Sequence, residues 1–191
     1  LTLSRMNAVR AVDPVGLTME VEAGCVVQAA QAAAEAAGRL FPVSYGAEGS
    51  AMVGGMIATN AGGINVLRYG MTRSLVLGLE VVLADGGVVD GLRALRKDNA
   101  GYDWKQLFIG SEGTLGIVTA ATLRLLPAAT GRATAWVGLG GIVEARTLLR
   151  QMDRAMGDAL EGFEVVPAHC LESVLAHQPT ARAPLGEAHA W

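Results

Sequence analysis

A glycine-rich stretch at residues 43–63 constrains the fold of this chain more than any other part of the sequence. Among small and polar neighbours it carries Gly46, Gly49, Gly54, Gly55, Gly62 and Gly63. Glycine loses more backbone entropy on folding than any other residue, so a run this rich suits a chain that needs positive φ angles or close backbone approaches. The stretch therefore cannot be a core strand.

Residues 56–59, inside this stretch, are predicted to form one or two helical turns. Glycines precede the turns, and the sequence NAGG closes them. Unpaired N–H groups and the helix dipole favour an anion at such an N-terminus, each charge interaction being worth roughly 0.3–1 kcal/mol. The stretch fits a phosphate-binding loop, and it equally fits a pair of tight turns around a buried apolar helix.

Composition narrows the classes of function. With 191 residues, 51% of them hydrophobic, the chain can form one large domain or two small ones. Lys+Arg number 15 against 18 Asp+Glu, without a basic patch interleaved with aromatic residues, so nucleic acid is not predicted as a partner. The longest apolar run, residues 75–84, is broken by Glu80 and is too short to span a bilayer.

Cysteine and histidine residues predict neither disulfides nor a metal site. Cys25 and Cys170 stand far apart, which fits a reducing compartment. His169, His177 and His189 have no cysteine or carboxylate at metal-ligand spacing. A cytoplasmic location is therefore expected, or a mitochondrial one if the source is eukaryotic.

Hydrophobic periodicity predicts mixed helices and strands in the first two thirds of the chain. Predicted strands cover residues 17–23, 75–83 and 117–126, and predicted helices cover 26–37 and 104–109. Asp85, Gly86 and Gly87 predict a turn that returns the chain into a second strand of a hairpin. The strand at 75–83 is almost continuously apolar, so we expect it to be covered on both faces.

A second unit is predicted to begin after Pro127. Residues 134–139 and 160–165 are strand-like, and residues 142–156 and 170–177 are helical. This β-α-β-α order supplies too few strands for an independent sheet. We therefore place domains at 1–127 and 128–191 and expect the second to be incomplete.

A nicotinamide-binding Rossmann site is disfavoured. Gly138, Gly140 and Gly141 follow a strand-like segment and precede a predicted helix, as the fingerprint requires, but Val143 stands where the third glycine belongs. The stretch at 54–63 also lacks the fingerprint, and no P-loop motif occurs in the sequence.

A second glycine-rich segment at residues 110–119 runs directly into a predicted strand. Gly110, Gly113 and Gly116 would let the backbone approach a flat ligand, and Ile117 and Val118 can form an apolar wall against an aromatic ring. Taken alone it could be an ordinary joint between a helix and a strand. Together the two segments, one suited to phosphate and one to a ring, indicate a nucleotide-like cofactor.

Several long motifs in order carry a family resemblance over residues 1–126. They are GGMIATNAGG at 54–63, RYG at 68–70, VLGLEVVLADG at 76–86, LRKDNAGYDWKQLF at 95–108 and FIGSEGTLGIV at 108–118. They resemble the FAD-linked oxidase family of the vanillyl-alcohol oxidase (PCMH) type. Within it they are most similar to the D-2-hydroxyglutarate and D-lactate dehydrogenase branch, and the segment 95–108 points to the hydroxyglutarate side.

The resemblance implies an α+β fold: the second FAD-binding subdomain of a PCMH-type fold over residues 1–127, followed by the start of an α+β substrate cap. It places the pyrophosphate of FAD over residues 46–55, the isoalloxazine near 58–63, and the adenine half and flavin edge along 113–118. The implied cofactor-binding residues are Gly46, Ala47, Ser50, Met52, Gly54, Gly55, Ala58, Asn60, Gly62, Gly63, Gly113, Gly116, Ile117 and Val118.

The implied activity is the oxidation of a D-2-hydroxy acid, such as 2-hydroxyglutarate, lactate or glycolate, to its 2-oxo acid. The chain is expected to be a fragment: the family's first FAD subdomain would precede Leu1, and most of the cap, with its catalytic base and histidines, would follow Trp191. No catalytic residue is therefore assigned within this chain. Glu80 and Glu112 are expected to anchor loop amides. FAD is expected to bind non-covalently.

Other readings of the resemblance stay open. A relative of the same fold could oxidise an alcohol, a sugar or an amine, and this chain could be a cofactor-free folded remnant. We expect an electron acceptor of unidentified chemistry, no membrane span, and self-association through exposed apolar surface, which light scattering over a range of concentrations tests.

Overall fold

The computed structural model describes residues 1–186 and 189–191. The chain divides into two compact units, Leu1–Ala129 and Thr130–Trp191. The first unit contains strands β1 (Val9–Asp13), β2 (Thr18–Glu22), β3 (Arg39–Leu40), β4 (Val76–Val82), β5 (Val88–Gly91), β6 (Ile117–Arg124) and β7 (Leu126–Pro127). Its helices are α1 (Val27–Ala36), α2 (Val53–Ala58), α3 (Val66–Tyr69) and α4 (Lys105–Phe108), with a 3-10 turn at Thr72–Leu75.

A five-stranded sheet in the order β1-β2-β6-β4-β5 organises the first unit, and every neighbouring pair is antiparallel. Strands β3 and β7 form a separate two-stranded ladder. The order brings β2 beside β6, although about a hundred residues separate them, because β6 supplies the most continuously buried strand. The predicted α+β class is confirmed.

One face of the sheet forms the core. Alternation in β2 buries Met19 and Val21 and turns Glu20 and Glu22 to the opposite face. Helix α1 buries Val27, Ala30 and Ala34, which lie on one side of the helix at spacings of three and four residues. These residues belong to one hydrophobic cluster with Leu79, Val81 and Leu123 of the central strands.

Strand β4 is not buried along the whole of its second face, whereas the sequence predicts burial on both faces. Leu79 and Val81 are fully buried, whereas Glu80 and Val82 are only half-buried. The sheet is antiparallel, and such sheets do not require both faces to be covered. The expectation of burial on both faces is therefore wrong for the face that carries Glu80.

The second unit contains helices α5 (Ile142–Met156) and α6 (Ala168–His177), with a 3-10 turn at Gly157–Ala159. Both predicted helices are confirmed. The predicted strands at 134–139 and 160–165 are wrong, because no strand forms in the described part of this unit. Leu139 exchanges two backbone hydrogen bonds with Trp191, at 3.0 and 3.2 Å, but one paired residue does not make a ladder.

The longest helix of the described residues, α5, has 15 residues, and none of the helices there is both long and apolar enough to cross a membrane.

Candidate functional site

A cleft of about 170 Å³ lies between the two glycine-rich segments of the first unit. Seven of the predicted cofactor-binding residues line it: Gly54, Gly55, Ala58, Gly113, Gly116, Ile117 and Val118. Leu1, Leu3, Phe108, Ser111 and Glu112 complete the lining. Two segments that are about fifty residues apart in sequence thus form the walls of one cleft.

Backbone hydrogen bonds hold the two walls together. The N–H of Gly110 donates to the carbonyl of Ile57 at 3.1 Å, and the N–H of Glu112 donates to the carbonyl of Ala58 at 2.9 Å. These are carbonyls at the C-terminal end of α2, which have no partner within the helix itself. The second glycine-rich segment therefore caps the helix formed by the first.

Left-handed backbone conformations concentrate at this junction. Gly110 and Gly113 have φ angles of 84° and 78°, and the non-glycine residues Asn60 and Glu112 have φ angles of 48° and 53°. Such angles are uncommon for residues with a Cβ atom, and they occur where the surrounding contacts impose them. Asn60 is held in place because its Oδ1 accepts the backbone N–H of Arg73 at 2.9 Å.

The amides at the start of α2 serve the fold. Helix α2 begins at Val53, earlier than predicted, and the N–H groups of Val53 and Gly54 donate to the carbonyls of Cys25 and Ala23 at 2.9 and 2.7 Å. The expectation that this helix N-terminus presents its bare amides to a phosphate is wrong for these two groups, because the residues just after β2 already accept their hydrogen bonds.

Other amides of the first glycine-rich stretch remain available as donors. Among the described residues, the backbone N–H groups of Gly46, Ala47, Gly49 and Gly55 have no hydrogen-bond acceptor. Three of them belong to the turn that precedes α2, and Gly55 lines the cleft. An anion beside these residues could accept hydrogen bonds that the protein does not already use.

The glycines of the cleft separate into two groups. A Cβ atom on Gly54 would lie 2.8 Å from the Cβ of Ala23, and one on Gly116 would lie 2.7 Å from Cγ1 of Val81. Packing therefore requires a glycine at both positions. A Cβ atom on Gly55 would have no heavy atom within 4 Å. Packing does not explain a glycine there.

The other predicted residues lie outside the cleft. Gly62 and Gly63 line a separate cavity of about 10 Å³, and a Cβ on Gly63 would lie 2.1 Å from the carbonyl oxygen of Ser44. Ser50 lies in the turn with Gly46 and Ala47, and Met52 forms an isolated bridge with Val26. The predicted set thus falls into the cleft, the turn before α2, and a tightly packed region around residues 60–63.

Two weakly acidic groups close to these elements have raised pKa values. Burial, followed by the charge of Glu22, raises the pKa of the Cys25 thiol. Burial, followed by the charge of Glu48, raises the pKa of the Tyr45 hydroxyl. Both groups therefore stay protonated at neutral pH, and neither is a ready nucleophile or base.

The two glutamates expected to anchor loop amides do something else. Oε1 of Glu80 accepts a hydrogen bond from the Thr119 hydroxyl at 2.6 Å and lies 3.9 Å from the Arg10 guanidinium. The prediction is therefore wrong for Glu80, which joins a polar network across the second face of the sheet. The exposed side chain of Glu112 lines the cleft, and it is the backbone N–H of this residue that anchors the loop.

The histidines form no metal centre in the described part of the chain. No three His, Cys, Asp or Glu side chains there come together in a way that could hold a metal ion. Nδ1 of His177 lies 2.8 Å from the carbonyl of Ser173 in its own helix.

Sequence reasoning missed Arg73 and the N-terminal residues Leu1 and Leu3. Arg73 contacts Gln106 and Ile109, which lie 33 and 36 positions away, so no local motif marks it. Leu3 reaches the cleft because a turn, in which the Met6 N–H donates to the Leu3 carbonyl at 2.8 Å, packs against Gly24. Only the folded chain brings Leu1 and Leu3 into the cleft and Arg73 against Gln106 and Ile109.

The chain is similar to known proteins over most of its length. Residues 1–91 match the family described as FAD binding domain. The chain is 45% identical over 177 residues to the mitochondrial D-2-hydroxyglutarate dehydrogenase of Bos taurus, covering 93% of this chain and 32% of that protein. It is 42% identical over 192 residues to the D-2-hydroxyglutarate dehydrogenase of Xanthomonas citri pv. viticola, covering 99% and 39% respectively.

Among solved structures, one of alkyldihydroxyacetonephosphate synthase is similar with a TM-score of 0.66 and 25% identity, over 80% of this chain and 27% of that one. These likenesses confirm the predicted resemblance to FAD-linked oxidases. The chain spans about a third of the length of the curated relatives it matches.

Proposed function

We propose that this chain, whose residues 1–91 match the family described as FAD binding domain, holds FAD for the oxidation of a D-2-hydroxy acid to the 2-oxo acid. The observation that carries the proposal is the cleft in which α2 and the segment 113–118 face each other. The substrate class rests on the relatives from Bos taurus and Xanthomonas citri, both named D-2-hydroxyglutarate dehydrogenase.

The residues of the cleft suit such a cofactor. Ile117, Val118 and Ala58 offer apolar surface to a flat ring, while Gly55 leaves open space beside its unused N–H group. The unused amides of the turn at 46–49 suit a pyrophosphate. When bound, FAD supplies the acceptor for the two electrons removed from the alcohol.

The chain's own contribution, in this proposal, is to bind and orient the cofactor and to exclude water from one side of it. The first unit serves as the second FAD-binding subdomain, and the second unit serves as the beginning of a substrate cap. The relatives are about three times as long, so the proton-accepting base and any metal ligands are proposed to come from regions that this chain does not match. In this proposal a longer enzyme of the relatives' length, rather than this chain alone, reduces the electron acceptor and forms a homo-oligomer.

The proposed cellular location depends on the organism from which the protein comes. The Bos taurus relative is named mitochondrial, and the Xanthomonas citri relative carries no such designation. We therefore propose a mitochondrial location for a eukaryotic source and a cytoplasmic one for a bacterial source, which immunolocalisation or fractionation checks.

Titration with FAD, followed by flavin fluorescence, tests the cofactor proposal directly. The variant Ala58→Leu places a larger side chain in the cleft and is expected to weaken FAD binding by about tenfold or more, the scale of a misplaced side chain in a packed site. Ala29→Leu, at an exposed position of α1, is the matched control and should bind like the parent. The titration is run on the 191-residue chain and on a longer protein that contains it.

A substrate panel separates the alternatives. Dye reduction with D-2-hydroxyglutarate, D-lactate and glycolate, set against their L forms where these exist and against simple alcohols, sugars and amines, should show activity with a D-2-hydroxy acid. Preference for an alcohol, a sugar or an amine would refute the proposed substrate class and leave the proposed flavin cofactor in place. Absence of FAD binding in both the chain and the longer protein would refute the cofactor proposal and leave a cofactor-free fold.

A further inference from the structure

One arginine outside the cleft makes hydrogen bonds to the first glycine-rich segment and to the residues that lead into the second. The backbone N–H of Arg73 donates to Oδ1 of Asn60 at 2.9 Å, just beyond the end of α2. The guanidinium Nη1 donates to the carbonyl and to Oε1 of Gln106, at 2.9 and 2.6 Å, and Nη2 donates to the carbonyl of Ile109. Ile109 directly precedes the second glycine-rich segment, and Gln106 lies in α4 just before it.

These contacts meet at Gly110. A Cβ atom there would lie 3.4 Å from the Cβ of Asn60 and 3.5 Å from Nη2 of Arg73. The N–H of Gly110 donates to Ile57 in α2. Two connections therefore join α2 to Ile109: one runs through Asn60 and Arg73, and the other runs through Gly110.

The chemistry of this junction requires an arginine. Three oxygen acceptors, contributed by two residues, surround one half-buried side chain. A planar guanidinium offers donors in several directions at once, whereas the single ammonium of lysine is a point charge on a flexible stem. Gln106 is itself oriented, because its Nε2 donates to Oδ2 of Asp103 at 3.0 Å, which leaves its Oε1 for Arg73.

We propose that Arg73 is a positioning residue for the cofactor cleft. It does not line the cleft, and it acts by holding the segment 110–118 against α2, so that Gly113, Ile117 and Val118 face Gly55 and Ala58. The inference deepens the proposed function and rests on it for the identity of the ligand. The arrangement of the loop itself can be tested without that ligand.

Hydrogen exchange measures the loop directly. In Arg73→Ala and Arg73→Lys, the amides of Gly110 and Glu112 should exchange about tenfold to a hundredfold faster than in the parent, as expected for the loss of charged hydrogen bonds. Amides within β6 should keep their protection. Arg96→Ala removes an exposed arginine from the loop between β5 and α4 and serves as the control for loss of charge. Gln106→Ala, which removes one acceptor, is the milder variant should Arg73→Ala fail to fold.

Flavin binding provides the second readout. Both Arg73 variants should bind FAD about tenfold to a hundredfold more weakly, with a shifted visible absorption band of any flavin that remains bound. Lysine at position 73 should restore neither the slow exchange nor the FAD affinity, because it keeps the positive charge but lacks the planar guanidinium with its several donors. Faster exchange with unchanged FAD affinity and spectrum would overturn the positioning role, as would exchange equal to that of Arg96→Ala. Failure of the parent to bind FAD would instead refute the proposed function, while the exchange data would still decide whether Arg73 holds the loop.

Discussion

Single glycines in this protein serve two physical needs that look identical in the sequence. At Gly54 and Gly116, neighbouring side chains approach so closely that a Cβ atom would collide with them. At Gly55, by contrast, the space beside the backbone opens into the cleft. The first need belongs to folding, and the second is the one expected where a ligand must approach the chain.

Alanine substitution at the two adjacent glycines of α2 separates these needs. Gly54→Ala should destabilise the fold by about 1–3 kcal/mol, because its Cβ would overlap Ala23. Gly55→Ala should stabilise the helix by roughly 0.5–1 kcal/mol and yet weaken FAD binding, because its Cβ enters the cleft. Urea denaturation and FAD titration of both variants measure the two effects. Equal loss of stability in both would show that Gly55 also has a packing role.

At the scale of elements, strand β4 shows which features of a strand the local sequence pattern predicts and which it does not. Its apolar run predicts a central strand, and it pairs with both β5 and β6. The run does not reveal the irregularities in the β4–β6 register next to Gly78 and Glu80. These depend on the partner strand, because a bulge is a property of a pair.

Gly78 gives the element-scale prediction. A Cβ atom there would lie 2.4 Å from the carbonyl oxygen of Gly91 and 2.5 Å from the N of Arg93, both of which are backbone atoms. Gly78→Ala should therefore cost about 1–3 kcal/mol as β5 is displaced. Gly49→Ala, whose Cβ would make an ordinary 3.6 Å contact with Oε1 of Gln28, is the control. A midpoint in urea equal to that of the control would contradict the close approach.

At the scale of the whole molecule, burial is unequal between the two units. The hydrophobic cluster lies entirely within Leu1–Ala129. Among the described residues of the second unit, Ala145 is the one buried hydrophobic side chain, and Trp136 is 54% exposed. A unit that buries so little apolar surface gains little free energy on folding.

The whole-molecule prediction is that a chain ending at Ala129 folds by itself, whereas residues 130–191 do not unfold cooperatively. Far-UV circular dichroism and urea denaturation of the two pieces measure this. Trp104, which makes an edge contact with Phe108 at a centroid distance of 5.8 Å, supplies a fluorescence probe within the first piece. A sharp unfolding transition in the second piece, or none in the first, would contradict the prediction.

The sequence by itself determined the elements whose signals are local. Alternation predicted β2 and β6, helical periodicity predicted α1, α5 and α6, and two glycine-rich segments marked residues that line one cleft. Tertiary structure alone decided that Cys25 and Ala23 take the first amides of α2, that residues 134–139 find no ladder among the described residues, and that Arg73 joins α2 to the second segment. Each of these depends on atoms far apart in the chain, and a local pattern cannot report which distant acceptor a donor meets after folding.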